Sequence, residues 1–321
     1  MNYKKLLRKL ICGGVLCAAL TSGMNFAAAA EDFDPDAAIA HYTQKLQVEP
    51  NNAVMYNNRG FAYKMKYEYD KALADLTRAI ELDPTYADAY NNRGTVYYQT
   101  RRYKLAVEDY TKAINFDPTN AVAYNNRSAA NIMLGSAAGV EGNDSLHDSF
   151  YRQAVNDAAR AISIKPDYED AYINRGRSYA ALDDRENAIS DFTKAINLNP
   201  TNPVIYSIRG ASYDALNKED LALADYTRAL ELDPDDSATY NNRGLIYLGR
   251  NDFDRAIADF TRALEQSDDD AVMYNNRGVA YYGKGEYDKA IEDFNRALSI
   301  NHNFQAAIQN LKDAYAAKGH I

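Results

Sequence analysis

The sequence has no tryptophan and only two cysteines, Cys12 and Cys17, both near the N-terminus. Beyond them there is no thiol, so disulfide frameworks, thiol nucleophiles and cysteine zinc sites are excluded from the body of the chain. A body without cysteine is also insensitive to an oxidising compartment. Histidine is nearly as scarce. His41, His147, His302 and His320 stand singly, with no triad or metal-ligand spacing, so no catalytic residue, metal or cofactor is assigned. Glycine-rich phosphate loops are absent. Basic residues number 36 against 45 acidic ones, and no basic stripe offsets the net charge of −9, which argues against nucleic acid as a partner. The acidity itself fits solubility better than a dedicated basic partner. Past the first 30 residues no apolar run is long enough to span a bilayer.

The N-terminus has the three-part pattern of an export signal. Lys4, Lys5, Arg8 and Lys9 form a basic region, Leu10 to Leu20 an uncharged and mostly apolar one, and Ala28-Ala29-Ala30 a small-residue cleavage site before Glu31. Cleavage after Ala30 would remove both cysteines and take the net charge to −13. Ile11 and Leu16, preceding the cysteines, are too large for a lipoprotein signal. The expectation is an exported chain, periplasmic or extracellular, with no membrane span after cleavage.

Proline is rare, 8 in all, and it is spaced. Pro50, Pro84 and Pro118 lie 34 apart, as do Pro166, Pro200 and Pro234; the gap from Pro118 to Pro166 is 48, or 34 plus 14. A fixed period of this size is the mark of a repeat array. In the unit 53–86, counting from one, Tyr56 is position 4, Gly60 position 8, Tyr63 position 11, Ala72 position 20, Leu76 position 24, Ala79 position 27 and Pro84 position 32. Apolar residues at 4, 8 and 11, and again at 20, 24 and 27, recur at helical spacing and predict two amphipathic helices per unit. Mid-helix glycines such as Gly60, Gly94 and Gly176 cost about 1 kcal/mol each against alanine, a cost offset only where another helix packs on that backbone. Proline at 32 ends the second helix, and Thr85-Tyr86-Ala87-Asp88 predicts a capping box for the next. Most of the 27 tyrosines occupy positions 4, 11, 17 and 24 and are expected in the core; Tyr98 and Tyr282, at position 12, are not.

This pattern resembles the tetratricopeptide repeat, which has a large aromatic at 4, Gly or Ala at 8, Tyr at 11, Ala at 20, an aromatic at 24, Ala at 27 and Pro at 32. Seven units follow one another: 53–86, 87–120, 121–168 with a 14-residue insertion, 169–202, 203–236, 237–270 and 271–304. The resemblance implies an all-α, right-handed superhelical solenoid of helix–turn–helix repeats whose concave face is lined by first helices. Before the units, 31–52 carries a second-helix pattern only and is expected to be a capping half-repeat; after them, 305–321 is expected to be a closing helix, with Ala306, Ile308, Leu311 and Tyr315 apolar. In the third unit Ser128 replaces glycine at 8 and Asn131 replaces tyrosine at 11. Its extra residues, Ser136 to Phe150, read as a solvated loop on the strength of Gly139, Gly142, Asn143 and Asp144, with Gly135 beside them.

Two positions are uniformly charged. Position 7 is Arg59, Arg93, Arg127, Arg175, Arg209, Arg243 and Arg277; position 23 is Asp75, Asp109, Asp157, Asp191, Asp225, Asp259 and Asp293. In an antiparallel pair 7 faces roughly 23, so each arginine is read as meeting its own acid in a structural ion pair; the alternative is an arginine ladder for anionic ligands. If exposed, each pair contributes at most about 1 kcal/mol.

Position 6 is asparagine in six units: Asn58, Asn92, Asn126, Asn174, Asn242 and Asn276. Position 5 is asparagine in five: Asn57, Asn91, Asn125, Asn241 and Asn275. Asparagine is a poor helix former, so the doubling calls for a reason. The resemblance implies one. In several family members asparagines at position 6 hold the backbone of an extended peptide, with specificity from positions 9, 12 and 13, here varied as Phe61, Lys64, Met65, Arg177, Asp214, Leu248 and Tyr282. The alternative is that the amides bond to neighbouring helices and stabilise stacking. Ile173 and Ser207-Ile208 interrupt the pattern. The basic clamp that some members use for a chaperone's acidic tail is not supported, since Asn57, Val122 and Asn126 hold its places.

These readings converge on a non-catalytic protein-interaction scaffold whose partners are other proteins or extended peptides, in envelope assembly or secretion. An accessory subunit of an envelope enzyme and a self-assembling array are the alternatives. The polar last helix, with Gln305, Asn310, Lys312 and Asp313, argues against open stacking.

Overall fold

The computed structural model describes residues 34–266 and 269–319. The expected leader, its cysteines and the cleavage site after Ala30 lie outside the described residues. Among those residues there are sixteen α-helices and no strand, and they group into two compact units, 34–198 and 199–319.

The first unit opens with α1 (Pro35–Val48). Four antiparallel pairs follow: α2 (Ala53–Met65) with α3 (Tyr69–Leu82), α4 (Ala87–Gln99) with α5 (Tyr103–Phe116), α6 (Ala121–Val140) with α7 (Asp144–Ile164), and α8 (Glu169–Ala181) with α9 (Arg185–Leu198). The second unit holds α10 (Pro203–Ala215) with α11 (Glu219–Leu232), α12 (Ser237–Gly249) with α13 (Phe253–Gln266), α14 (Ala271–Gly283) with α15 (Tyr287–Ile300), and the unpaired α16 (Gln305–Gly319).

Local chemistry sets the ends of these helices. Asn52, Asn120, Asp236 and Asp270 cap first helices by accepting backbone N–H bonds from the opening turn. The capping box expected at Thr85–Asp88 does not form: Tyr86 is the cap residue without a side-chain bond, and Thr85 donates instead to Asp83. First helices close on a left-handed residue at position 15, seen at Tyr67, Arg101, Asp183, Asn217 and Asn251 with φ near +60° and at Gly285 with φ +83°.

Each pair except α6–α7 is held by one aromatic or leucine at position 24 pressed on the backbone of position 8. Phe192 and Phe260 are almost fully buried, and burial of such a ring contributes about 2–3 kcal/mol. A Cβ built on Gly176 would stand 2.6 Å from Phe192 Cε1, so the approach tolerates no side chain. The alanines at 20 and 27, such as Ala72 and Ala79, are wholly buried on the facing helix.

The insertion is the main departure from the sequence reading. It is not a loop. α6 has 20 residues against 13 for other first helices, and α7 has 21 against 14, so each arm of the hairpin gains two turns. Only the tight link at Glu141–Asn143 is non-helical, with Gly142 at φ +74°. Gly135 lies inside α6, where a Cβ would sit 2.7 Å from the buried ring of Tyr151. The glycine–aromatic contact has thus moved two turns up both helices, and at the old place Ser128 Oγ donates to the Ala154 carbonyl at 2.8 Å. Glycine breaks isolated helices, but here close packing requires it.

Candidate functional site

The first helices carry two polar layers. The lower one ties each first helix to its own second helix. Arg93 Nε and Nη2 lie 2.7 and 2.9 Å from the two carboxylate oxygens of Asp109, and the same two-pronged contact joins Arg59 to Asp75, Arg127 to Asp157, Arg175 to Asp191, Arg209 to Asp225, Arg243 to Asp259 and Arg277 to Asp293. A third contact reaches the preceding repeat: Arg93 Nη1 donates to Thr77 at 3.2 Å, Arg127 to Thr111, Arg243 to Thr227 and Arg277 to Thr261. The threonines carry no signal in the sequence beyond their recurrence sixteen residues before six of the seven arginines, with Ala159 at that place before Arg175.

These pairs are not exposed. The arginine side chains keep 16–22% of their surface and the aspartates 5–9%. The tyrosines at 4 and 11, expected in the core, are only half-buried; they flank the guanidinium, as Tyr90 and Tyr97 do at 5.7 and 5.9 Å from Arg93. The aspartate bond raises the Arg93 pKa against the effect of burial, and burial raises Asp293 against the pull of Arg277. Bidentate geometry under aromatic cover places these pairs above the surface-pair range.

The upper layer is made of the asparagines, and it runs between repeats. In the first unit Asn92 Nδ2 donates to Asn57 Oδ1 at 2.9 Å, Asn126 to Asn91 at 3.1 Å and Asn174 to Asn125 at 2.9 Å. At its N-terminal end Asn58 donates to the Tyr42 hydroxyl of α1 at 3.4 Å. In the second unit Asn276 donates to Asn241 at 3.2 Å. Asn92, Asn126, Asn174 and Asn276 are therefore each bonded to the position-5 amide of the repeat before. Asn57 and Asn125 also donate onward, to the hydroxyls of Tyr86 and Tyr168, and burial pushes Tyr168 up to about 12. The carbonyls of Asn92, Asn126, Asn174 and Asn276 accept no hydrogen bond among the described residues, and they are not sealed from solvent.

The pattern is interrupted twice: Ile173 and Ile208 hold positions 5 and 6 of successive repeats, and Ser207 precedes Asn242. Position 5 before Asn242 is Ser207, whose hydroxyl lies 2.6 Å from that of Thr239. Asn242, 4% exposed, keeps both amide atoms buried with no partner among the described residues. A further rung was not foreseen. Asn310 of α16 donates to Asn275 at 2.9 Å. It stands 34 residues after Asn276, so the last helix continues the first-helix series, and that spacing was the signal available.

The outer face holds the varied positions. Val54, Val122 and Val272 at position 2 and Tyr282 at position 12 are exposed. Lys64 is buried, its ammonium 4.1 Å over the Phe61 ring, and burial pulls its pKa down to about 8. Tyr98 stacks edge-on with Tyr103, and Tyr282 with Tyr287, each at 5.4 Å. Among the described residues no group of His, Asp and Glu side chains is placed to hold a metal ion, and no helix is long and apolar enough to cross a membrane.

Family models described as tetratricopeptide repeat match residues 87–120, 169–202, 203–236, 237–270 and 271–304, and one described as TPR repeat matches 68–101. Together they span more than half of the chain. No curated protein matches the sequence. Among solved structures, the APC/C hetero-tetramer Cut9–Hcn1 aligns with a TM-score of 0.60 and 20% identity over 87% of this chain and 52% of that one, so the chain spans about half its length. A tetratricopeptide repeat protein from Parabacteroides merdae aligns at 0.55 and 20% identity, covering 87% of this chain and 99% of that one. YrrB, described as a TPR protein with an unusual peptide-binding site, aligns at 0.50 and 23% identity over 64% of this chain and 99% of its own. At these identities the likeness is one of fold.

Proposed function

The chain belongs to the tetratricopeptide repeat family, and on that premise we propose that it is a non-catalytic scaffold that holds extended peptide segments of partner proteins against its first helices. The family generally serves as protein-interaction scaffolds. The observation that carries the peptide reading is the state of the position-6 amides. Asn92, Asn126, Asn174 and Asn276 each give one N–H to the neighbouring repeat, which fixes the amide's orientation, and each retains a carbonyl with no partner among the described residues. A row of oriented amide acceptors suits the N–H groups of an extended backbone. Stacking and binding are then two uses of one ladder. Selectivity falls to the varied neighbours at positions 2, 9, 12 and 13. YrrB, with its peptide-binding site, supports the reading through shared fold.

The leader-like N-terminal sequence supports a location outside the cytoplasm and, with it, a role in envelope assembly or secretion. The test uses the chain from Glu31 onward and a variant with Asn92, Asn126, Asn174 and Asn276 changed to Ala, each held well below its own melting temperature while capturing proteins from an envelope extract. Partners retained by the wild type and lost by a variant that keeps its helicity support the ladder as a peptide site. Identical sets captured by both would restrict the asparagines to stacking. Intact-mass measurement of the exported protein tests the location: a chain beginning at Glu31 supports it, and a full-length chain retained in the cytoplasm overturns it.

A further inference from the structure

Arg177 differs from every other residue at its place in the repeat. Position 9 is otherwise uncharged: Phe61, Thr95, Ala129, Ala211, Leu245 and Val279. It also differs from the arginines at position 7, each of which grips its own aspartate. Arg177 is half-buried and makes no hydrogen bond or ion pair among the described residues. Its place on the face is fixed. Asn174, one turn before it on α8, is tied to Asn125 on α6, so Arg177 stands one turn above an asparagine rung. On α4, Tyr98 stands two turns beyond Asn91, which is tied to Asn126 on the same α6. Between them α6 offers only the methyl of Ala129 at position 9. The Tyr98 hydroxyl likewise has no hydrogen-bond partner among the described residues, its ring being held against Tyr103.

Burial lowers the Arg177 pKa, and Tyr98 and Asp170 oppose that fall, so Arg177 lies within electrostatic reach of both. A guanidinium taken out of water without an acceptor is a costly arrangement that an anion relieves. Its planar fork together with a phenol O–H matches a carboxylate. Asp170 and Glu169 on the same helix add negative charge nearby, which favours a monoanion over a dianionic phosphate.

We infer that Arg177 and Tyr98 form an anchor for one acidic side chain, Asp or Glu, of the extended peptide that lies across the asparagine rungs of the first unit. The inference rests on the peptide-binding reading above and adds to it the chemistry of one ligand position.

The test selects binders from a random dodecapeptide library with amidated C-termini, using the chain from Glu31 onward. The wild type should enrich sequences with Asp or Glu at one fixed position. In the best binder, Glu→Gln at that position should weaken binding to the wild type by at least about tenfold, the effect expected of a charge-assisted hydrogen bond, and binding to Arg177→Gln by less than about twofold. Tyr98→Phe, which removes only a hydroxyl, should lose part of the preference, and Arg177→Glu should shift selection toward Lys or Arg. Enrichment without an acidic position, or an acidic preference that survives in Arg177→Gln, overturns the anchor and leaves peptide binding standing. Acidic selectivity that requires a free C-terminus assigns the site to a terminal carboxylate, against the side-chain assignment. No enrichment of any peptide by the wild type removes the peptide reading and the anchor with it.

Discussion

Ser207 occupies the place where Asn242, one repeat later, needs an amide carbonyl, and Asn242 is left buried with neither amide atom bonded. In the next repeat the same contact is Asn276 to Asn241. The serine instead meets Thr239, a residue that stands where Ala89, Ala123 and Ala171 occupy other repeats. The double change Ser207→Asn with Thr239→Ala restores the common pattern. It should stabilise the protein by about 1 kcal/mol, the net value of a hydrogen bond to a group otherwise stranded. Urea unfolding would register this as a higher midpoint at unchanged slope; a lower midpoint would mean that the site has no room for the amide.

The Arg93–Asp109 contact is expected to respond asymmetrically. Asp109→Asn leaves a covered guanidinium without its counter-charge and should cost about 3 kcal/mol. Thr77→Val removes only the bond to the preceding repeat and should cost about 1 kcal/mol. Thermal melts of the two variants side by side would separate these cases. Equal and small losses would return the pairs to the class of exposed surface ion pairs.

The extended hairpin depends on one glycine. Gly135→Ala places a methyl 2.7 Å from Tyr151 Cε2, and overpacking of this kind costs about 1–3 kcal/mol. A surface loop would accept the same change without loss. Circular dichroism melting of Gly135→Ala distinguishes the two.

Asp170 supplies a pH dependence with a definite sign. Burial, helped by Glu169 and opposed by Arg177 and Lys165, pushes its folded pKa up to about 6. The unfolded value is the ordinary one near 4. Between roughly pH 4 and 6 the folded chain therefore holds a proton that the unfolded chain does not, so this group's contribution falls as pH rises through that window and stays low above it. Asp170→Asn should be more stable than the wild type by about 1 kcal/mol at pH 7.5, a figure discounted for partial exposure, and equal to it at pH 4. Denaturation at both values checks this; a difference that does not shrink toward pH 4 would assign the effect to packing.

What the sequence determined by itself is local and periodic. The 34-residue frame specifies two helices per unit, and helical spacing alone brings Arg59 opposite Asp75, so pairing within a repeat was legible. Glycine at 8 facing an aromatic at 24 follows from the same spacing. What only the tertiary structure decided depends on the offset between successive repeats. That offset carries Asn92 to the Asn57 carbonyl, 35 residues away, and Arg93 to Thr77, 16 residues away. It also makes α16 another first helix through Asn310, and it leaves Asn242 without a partner. The insertion shows the reason most clearly. Residues 136–150 have the composition of a loop, because glycine disfavours an isolated helix. Packing of Gly135 on Tyr151 reverses that preference, and a contact across two helices is not written in the local sequence of either.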